Sequence, residues 1–243
     1  MAKYKEIKGF TVQTLSSDPT TTNSIGQVYY NSTSNTLKYV TSGGPSAGTW
    51  SSGGTLNTAA TATKGFGATI GTSQVNGGAP NLTKTEEYNG TSWIEVNNMV
   101  VGTSEMGSFG LQTAAISASG QAAPNTTTVN VQSYDGTCWS ETTNVNTARY
   151  ALTGAGIQTS GIVFGGYNGG TGGVKNETES WNGIAWTEVA VLNTVRDIAG
   201  GAGISNSSAL AFGGTDTPTG QTVNTEQWDG SAWTEVANLA TAR

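Results

Sequence analysis

Acidic side chains recur at two fixed places along this sequence. Four glutamates each follow a tryptophan by two residues: Glu95, Glu141, Glu188 and Glu235. A second position, three residues before an Asn-Gly or Asp-Gly pair, holds Glu86, Gln132, Glu179 and Glu226. Paired carboxylates can hydrolyse glycosides, but one acid must have a raised pKa while its partner stays ionised. Because these acids recur in equivalent surroundings, we interpret them as structural contacts to loop amides or to a repeated arginine.

The other candidates for chemistry are few. The sequence contains no histidine, which excludes Ser-His-Asp and Cys-His nucleophiles and most zinc sites. Cys138 stands where related segments have serine or alanine, so we interpret it as a small buried residue. Asp197 and Asp216 lack the spacing of a calcium loop and are expected to be solvated loop acids. The sequence therefore predicts no catalytic residue, no metal site and no cofactor, in a protein that is not an enzyme.

Five tyrosines could bind carbohydrate by stacking their rings on sugars. They are Tyr29, Tyr30, Tyr39, Tyr150 and Tyr167. A chain rich in Ser, Thr and Asn has a hydroxyl-rich surface, so a carbohydrate-binding face is one interpretation of these rings. Packing between structural units is the other interpretation, and it is the one that we favour.

The composition excludes several classes of partner. Charged residues make up 11% of the chain, 35 residues are glycine, and the formal net charge is −6. Without a basic stripe, nucleic acid is not an expected partner. No apolar run has the length of a membrane span, and the start, MAKYKEIKGF, lacks the apolar stretch of a secretory signal. A single cysteine excludes an internal disulfide framework.

The aromatic residues reveal an internal repeat. The pattern aromatic–Asn/Asp–Gly–x–x–Trp occurs four times, and a degenerate copy, Gly-Thr-Trp, precedes them. The repeat tryptophans are Trp50, Trp93, Trp139, Trp186 and Trp233, at steps of 43, 46, 47 and 47 residues. A period of this length is typical of propellers and other repeat architectures.

Each repeat divides into four short strands. Asn-Gly or Asp-Gly between aromatic segments predicts a hairpin with a type I′ turn, which has φ > 0 at both central positions; this pairs residues 85–88 with 93–96. Upstream, residues 161–166 and 209–214 are predicted strands that end in a Gly pair. Residues 154–157 and 201–204 are strands of small residues, suited to a crowded innermost place where backbones approach closely. Four such strands predict a propeller blade.

The segments between repeats carry a further signal. Asn-Thr-Ala-Arg at residues 146–149 returns with small changes at 193–196 and 240–243. With the Gly pairs, the aromatic of the third strand and the tryptophan of the fourth, residues 55–243 resemble the kelch repeat, although the step from aromatic to tryptophan is shorter than usual. The resemblance implies a binding scaffold, not an activity. We expect Arg149 and Arg196 to make equivalent contacts, to loop carbonyls or to a repeat glutamate such as Glu188.

The first 52 residues supply what the four repeats lack. Residues 7–15 are predicted to form one strand, residues 26–31 and 36–40 a hairpin, and residues 49–51 an outermost strand. We count these as a fifth blade, completed from the start of the chain. The predicted fold is all-β, a kelch-like β-propeller of five blades with four antiparallel strands each. Residues 1–52 complete the fifth blade or serve as an attachment segment, and residues 53–243 form four kelch-like blades.

A second resemblance lies in three segments of the N-terminal region: residues 17–19 (Ser-Asp-Pro), 26–33 (Gly-Gln-Val-Tyr-Tyr-Asn-Ser-Thr) and 37–39 (Leu-Lys-Tyr). They are similar to a stretch near the N-terminus of tail-associated and fibre-like proteins of bacteriophages, notably those of marine cyanobacteria. This implies a virion structural protein at the tail or capsid surface, with other virion proteins and a host surface glycan as partners. The alternative is a carbohydrate- or receptor-binding propeller not tied to a virion, extracellular without a signal peptide. The sequence leaves the oligomeric state open.

Overall fold

The computed structural model describes residues 13–16, 28–39, 53–69, 71–169, 173–217 and 220–243. The chain divides into two compact units, Met1–Ser52 and Gly53–Arg243. In the described residues of both units, the regular secondary structure is β-strand. This confirms the all-β class that the alternating turns and short apolar segments predict.

The first unit contains a three-stranded sheet. Its strands are β1 (Gln13–Leu15), β2 (Val28–Asn31) and β3 (Thr36–Tyr39). Strands β2 and β3 form the predicted antiparallel hairpin. Strand β1 runs parallel to β2, which differs from the antiparallel innermost strand expected within residues 7–15; a parallel pair needs a connection of about a dozen residues, and that many separate the two strands. Residues 7–12 and 48–51, and with them Trp50, lie outside the described residues.

The second unit contains four antiparallel sheets of four strands in its described residues. The first sheet consists of β4 (Lys64–Thr69), β5 (Thr72–Asn76), β6 (Thr85–Tyr88) and β7 (Trp93–Glu95). The segment of the second repeat contains β8 (Thr103–Ser104), β9 (Gly107–Leu111), β10 (Ala114–Ala118), β11 (Gln121–Ala122), β12 (Thr126–Thr127), β13 (Val131–Tyr134) and β14 (Trp139–Thr142). Here β9, β10, β13 and β14 form the second sheet, and β8, β11 and β12 a small separate one.

The third and fourth repeats follow the same plan. The third contains β15 (Thr153–Ile157), β16 (Ser160–Phe164), β17 (Tyr167–Asn168), β18 (Gly173–Val174), β19 (Thr178–Trp181) and β20 (Trp186–Val189). The fourth contains β21 (Gly200–Ser205), β22 (Ser208–Phe212), β23 (Thr215–Thr217), β24 (Gly220–Gln221), β25 (Thr225–Trp228) and β26 (Trp233–Glu235). In each repeat a short hairpin extends the loop between the second and third strands of the sheet. Closure of the four sheets into a ring is not observed among the described residues.

The last two strands of every sheet are joined by the same turn. The side-chain oxygen Oδ1 of Asn89 accepts hydrogen bonds from the backbone N–H groups of Thr91 and Ser92, at 2.9 and 3.0 Å. Asp135, Asn182 and Asp229 do the same in the other three sheets. Positive φ occurs at the glycine, 93° at Gly90, but not at the preceding Asn or Asp, so the predicted type I′ turn is wrong. The carboxamide or carboxylate caps the turn instead, which explains the choice of Asn and Asp here.

The first strands of consecutive sheets lie side by side: β4 with β9, β9 with β15, and β15 with β21. Glycine permits this approach, because a Cβ atom at Gly154 would lie 2.8 Å from the ring of Phe109 and 3.0 Å from the carbonyl oxygen of Ser108. Together the four first strands line one cavity of about 290 Å³. The small residues predicted to be innermost therefore lie where sheets converge.

The repeat tryptophans fasten each sheet to the preceding one. The indole N–H of Trp139 donates to Thr85 Oγ1 at 2.9 Å, and that of Trp186 donates to the carbonyl oxygen of Thr143 at 3.1 Å. Trp233 donates to Thr178 Oγ1 and stacks edge-on against Phe164. These three side chains are buried. The equivalent residue of the first sheet, Trp93, is half-buried.

Replacement of Trp186 by alanine should lower the free energy of unfolding by about 3–5 kcal/mol, because it leaves a cavity between two sheets. Trp93→Ala is the matched control, with a smaller loss because the ring is already half-exposed. Chemical denaturation of both variants measures the difference. Equal losses for the two variants would contradict a packing role for Trp186 between sheets.

Candidate functional site

Two buried ion pairs occupy equivalent places in the third and fourth sheets. Arg149 Nη2 donates to Glu179 Oε1 at 2.9 Å, and Arg196 Nη2 donates to Glu226 Oε1 at 2.5 Å. Both arginine side chains are fully buried. The carboxylate that binds Arg149 is Glu179, three residues before the turn, and not Glu188, the repeat glutamate given as the expected example.

Each arginine contacts two consecutive sheets. The carbonyl oxygen of Arg149 accepts a hydrogen bond from Gly120 N–H, at the end of the second sheet's strand β10. Its guanidinium Nη1 donates to the carbonyl oxygens of Gly165 and Glu177, at 3.1 and 2.6 Å, in the third sheet. Arg196 repeats these contacts one unit further along, and its Nη1 donates to the carbonyl oxygens of Gly213 and Asn224. The planar guanidinium has enough donors to satisfy this fixed set of acceptors, which lysine does not.

Loop amides complete the surroundings of the carboxylate. Glu179 Oε2 accepts hydrogen bonds from the backbone and side-chain nitrogens of Asn146, and Oε1 accepts one from Thr147 N–H. Burial lowers the pKa of the Arg149 guanidinium from its ordinary value, and the negative charge of Glu179 opposes that shift. The glutamates that precede the turn thus serve as structural acceptors for the inter-repeat segment.

The first two sheets depart from this arrangement in different ways. In the second sheet, Gln132 replaces the glutamate and its Oε1 accepts hydrogen bonds from the N–H groups of Val100 and Val101. Threonine, Thr103, stands at the arginine position there. The first sheet keeps a glutamate, Glu86, but has Ala60 at the arginine position. The second sheet therefore lacks both the arginine and the glutamate, whereas the first sheet lacks only the arginine.

A cavity of about 250 Å³ opens where the first strands begin. Four of its lining residues, which we call the rim, lie two residues before each first strand: Ala62, Glu105, Ala151 and Ile198. All four have positive φ, between 50° and 55°. This backbone conformation is energetically costly for residues other than glycine, and most of all for a β-branched residue such as Ile198. Such backbone strain is a feature of ligand sites.

Backbone hydrogen bonds join the rim residues in series. Each N–H donates to the carbonyl oxygen of the preceding member: Glu105 to Ala62, Ala151 to Glu105, and Ile198 to Ala151, at 2.8 to 3.1 Å. Lys64 also lines this cavity. Burial lowers the pKa of its ammonium from the ordinary value, and the charge of Glu105 opposes the shift. The rim therefore combines a constant backbone with side chains that differ in size and charge.

Two of the single residues weighed above lie in surroundings other than those expected. Cys138 is exposed, because it belongs to the turn capped by Asp135, and its N–H is one of the two that donate to Asp135 Oδ1. The prediction of a small buried residue was wrong. Asp197 is only partly solvated: its Oδ1 is buried without a hydrogen-bond partner, and burial raises the pKa of this carboxyl.

The tyrosines lie mainly in partly buried positions. Tyr29 is buried, and Tyr30 is half-buried with its hydroxyl donating to Asn35 Oδ1 at 3.0 Å. Tyr150 and Tyr167 are half-buried and form a pair with ring centroids 5.3 Å apart. This pair adjoins the rim residue Ala151 in sequence. The side chain of Tyr39 is not among those that the structure describes.

In the described part of the chain, no group of three or more acidic or cysteine side chains is placed to hold a metal ion. The same residues include no helix of the length and apolarity that a bilayer crossing requires. Neither a model of a known protein family nor a curated protein matches the chain.

Substitution of Arg149 by alanine should lower the free energy of unfolding by about 3–5 kcal/mol, because Glu179 would then be buried without its counter-charge. Arg243 ends the equivalent segment after the fourth sheet, but its side chain is exposed. Arg243→Ala should change stability by no more than about 0.5 kcal/mol. Urea denaturation of the two variants makes the comparison, and similar losses would show that burial of the pair is unimportant.

Proposed function

We propose that this protein is a virion structural protein, a five-bladed kelch-like β-propeller displayed on the tail or capsid surface of a phage, where it acts as an interaction scaffold. The observation that carries the scaffold role is the rim, at which four repeats share one backbone conformation and carry three kinds of side chain, alanine, glutamate and isoleucine. A repeat architecture that keeps its framework and varies one ring of positions is suited to recognition.

The buried contacts between sheets and the rim differ in what determines their residues. Arg149 Nη2 and the Glu179 carboxylate bind each other, and the Asn182 side chain caps a turn, so these groups have their partners within the protein. At the rim, Ile198 is 69% exposed and holds a positive φ, so neither burial nor backbone preference accounts for that side chain. Binding of an external partner gives such a residue a reason to be there.

The resemblance of residues 17–39 to phage tail-associated proteins supports the virion placement. A surface with few charges and many hydroxyl and amide groups also suits a particle-borne protein, because it offers hydrogen bonds without strong salt-dependent attraction. The proposed partners are other virion proteins, together with a glycan of the host surface.

A carbohydrate- or receptor-binding propeller free of any virion is the second candidate. The pair formed by Tyr150 and Tyr167 favours it, because aromatic faces beside hydroxyl-rich loops suit the apolar faces of sugar rings. Placement on a virion and glycan binding are compatible with one another.

Mass spectrometry of purified particles tests the virion role, with a fixed number of copies per particle expected. Absence of the protein from particles that otherwise assemble would overturn it.

A glycan array with the free protein tests the second candidate, and loss of a glycan signal in Tyr167→Ala but not in Ser231→Ala, a turn substitution, would support it. Unchanged binding in Tyr167→Ala would place the glycan site elsewhere and argue against this pair.

Apolar side chains exposed on the fourth sheet are the reason to propose a fifth blade. In the third sheet Ile162 is fully buried, whereas the equivalent Leu210 of the fourth sheet is 37% exposed and Ile204 is 77% exposed. This sheet face has the composition of a blade-to-blade contact. We propose that the N-terminal unit, through the β2–β3 hairpin, covers it and closes the ring.

Deletion of residues 1–52 should therefore turn a monomer into an oligomeric or aggregating species with a lower Tm, because an apolar sheet face is left uncovered. Size-exclusion chromatography with light scattering, together with a thermal melt, measures both effects. A truncated protein that stays monomeric with an unchanged Tm would mean that residues 1–52 are an attachment segment.

A further inference from the structure

Consecutive sheets of the second unit are joined by a recurring bond between a threonine and a tryptophan. Thr85 and Thr178 each begin the third strand of their sheets. The hydroxyl oxygen of Thr85 accepts the indole N–H of Trp139 at 2.9 Å, and that of Thr178 accepts the indole N–H of Trp233 at 3.1 Å. In both cases the donor belongs to the sheet that follows the acceptor along the chain. The threonine is therefore a contact that one sheet offers to the next.

The second sheet has a different residue at this position. Val131 begins its third strand and is fully buried. The tryptophan of the following sheet, Trp186, donates instead to the backbone carbonyl oxygen of Thr143 at 3.1 Å. A buried indole N–H needs an acceptor, and it finds another one where valine provides none. In these three joins, threonine at this position coincides with an indole that binds it, and valine with an indole that does not.

The fourth sheet keeps the threonine at its outward face. Thr225 begins the third strand and is 8% exposed, and its Oγ1 is buried without a hydrogen-bond partner. The backbone N–H of Thr225 donates to Asn238 Oδ1 at 3.0 Å, so the hydroxyl is the group that lacks a partner. A buried hydroxyl in this condition costs free energy. The fourth sheet thus carries the acceptor that an indole of a following sheet would bind.

The residue beside Thr225 also matches the join between the third and fourth sheets. There, the ring of Phe164 lies edge-on to Trp233 with the centroids 5.0 Å apart, and Phe164 is 1% exposed. Phe212 takes the equivalent place in the fourth sheet, pairs with Thr225 across the second and third strands, and is only half-buried. Paired residues of an antiparallel sheet lie on the same face. An aromatic ring and a hydroxyl acceptor are therefore presented together, as in a site for an indole.

The chain contains seven tryptophans, which limits the possible donors. Five of them donate their indole N–H to acceptors within the second unit: Trp139, Trp181, Trp186, Trp228 and Trp233. Trp93 belongs to the first sheet, where its ring packs against Tyr88 with the centroids 5.2 Å apart. The remaining tryptophan is Trp50, in the degenerate copy of the repeat, three residues before the second unit begins at Gly53.

We propose that Thr225 and Phe212 form the receiving site for Trp50, whose indole N–H donates to Thr225 Oγ1 and fixes the last strand of the fifth blade on the fourth sheet. The inference rests on the five-bladed ring of the proposed function, and it names the contact that selects residues 48–51 as the occupant. A phenyl ring or an aliphatic side chain could cover Phe212 but has no N–H for the hydroxyl, so the site favours an indole.

Thermal melts of the full chain with Thr225→Val, Trp50→Phe and the double substitution test the contact. Thr225→Val should lower the Tm by about 2–4 °C, because a hydrogen bond is lost, although Val131 shows that valine fits this position. In the Trp50→Phe background the same substitution should cause no loss, because it then removes a buried hydroxyl that has no partner. Thr178→Val is the matched control and should lower the Tm in both backgrounds, since its donor is Trp233.

The indole N–H signals of the NMR spectrum give a direct measurement. The Trp50 signal, identified by its loss in Trp50→Phe, should exchange slowly with solvent and should be the signal that shifts most in Thr225→Val. A Tm that Thr225→Val does not lower, or lowers equally in the Trp50→Phe background, would overturn the contact. So would a loss that depends on protein concentration and disappears in Trp93→Phe, since a second copy of the chain would then supply the indole.

The outcome is separable from that of the ring closure on which it rests. If the Thr225 and Trp50 substitutions are additive while deletion of residues 1–52 still yields oligomers, the N-terminal unit closes the ring without this contact, and the contact is overturned alone. If that deletion leaves a monomer with an unchanged Tm, the closure is overturned, and the contact with it.

Discussion

Burial of a charged arginine between consecutive sheets is the constraint that fixes how the third and fourth sheets join the sheets before them. Arg149 and Arg196 each bind a carbonyl acceptor set in one sheet while their own carbonyl is bound by the sheet before. A buried guanidinium is stable only when hydrogen-bond acceptors surround it. The glutamate, the carbonyl oxygen of the Gly pair and the inter-repeat amides that hold the glutamate must therefore occupy fixed positions around it.

The departures from the repeat are as informative as its regular parts. Where the arginine is lost, the second sheet also loses the charge of the glutamate, and the first sheet retains both the charge and a cavity beside it. At the rim, by contrast, side chains change freely while the backbone keeps its positive φ. The interior thus always keeps a glutamate or glutamine acceptor but not always the arginine, whereas the rim keeps a backbone conformation and changes its side chains.

Much of the fold could be predicted from the sequence, because local signals and long-range packing agree. The four-strand division of each repeat and the place of the small-residue strands follow from turn residues and residue size. The turn type was mistaken because Asn89 has two roles in such turns: it can adopt positive φ itself or cap with its side chain, and composition does not distinguish them. Cys138 was misjudged because its place in the capped turn, not the size of its side chain, decides its exposure.

The sequence by itself determined the all-β class, the period and the absence of histidine chemistry, since these depend on residue type and spacing. Only the tertiary structure decided which glutamate meets which arginine, because both Glu179 and Glu188 lie on adjacent, paired positions of one hairpin. It also decided that four positions two residues before the first strands form a bonded rim. The rim has no sequence signal, because it arises where separate repeats meet and the backbone, not the side chain, makes the contact.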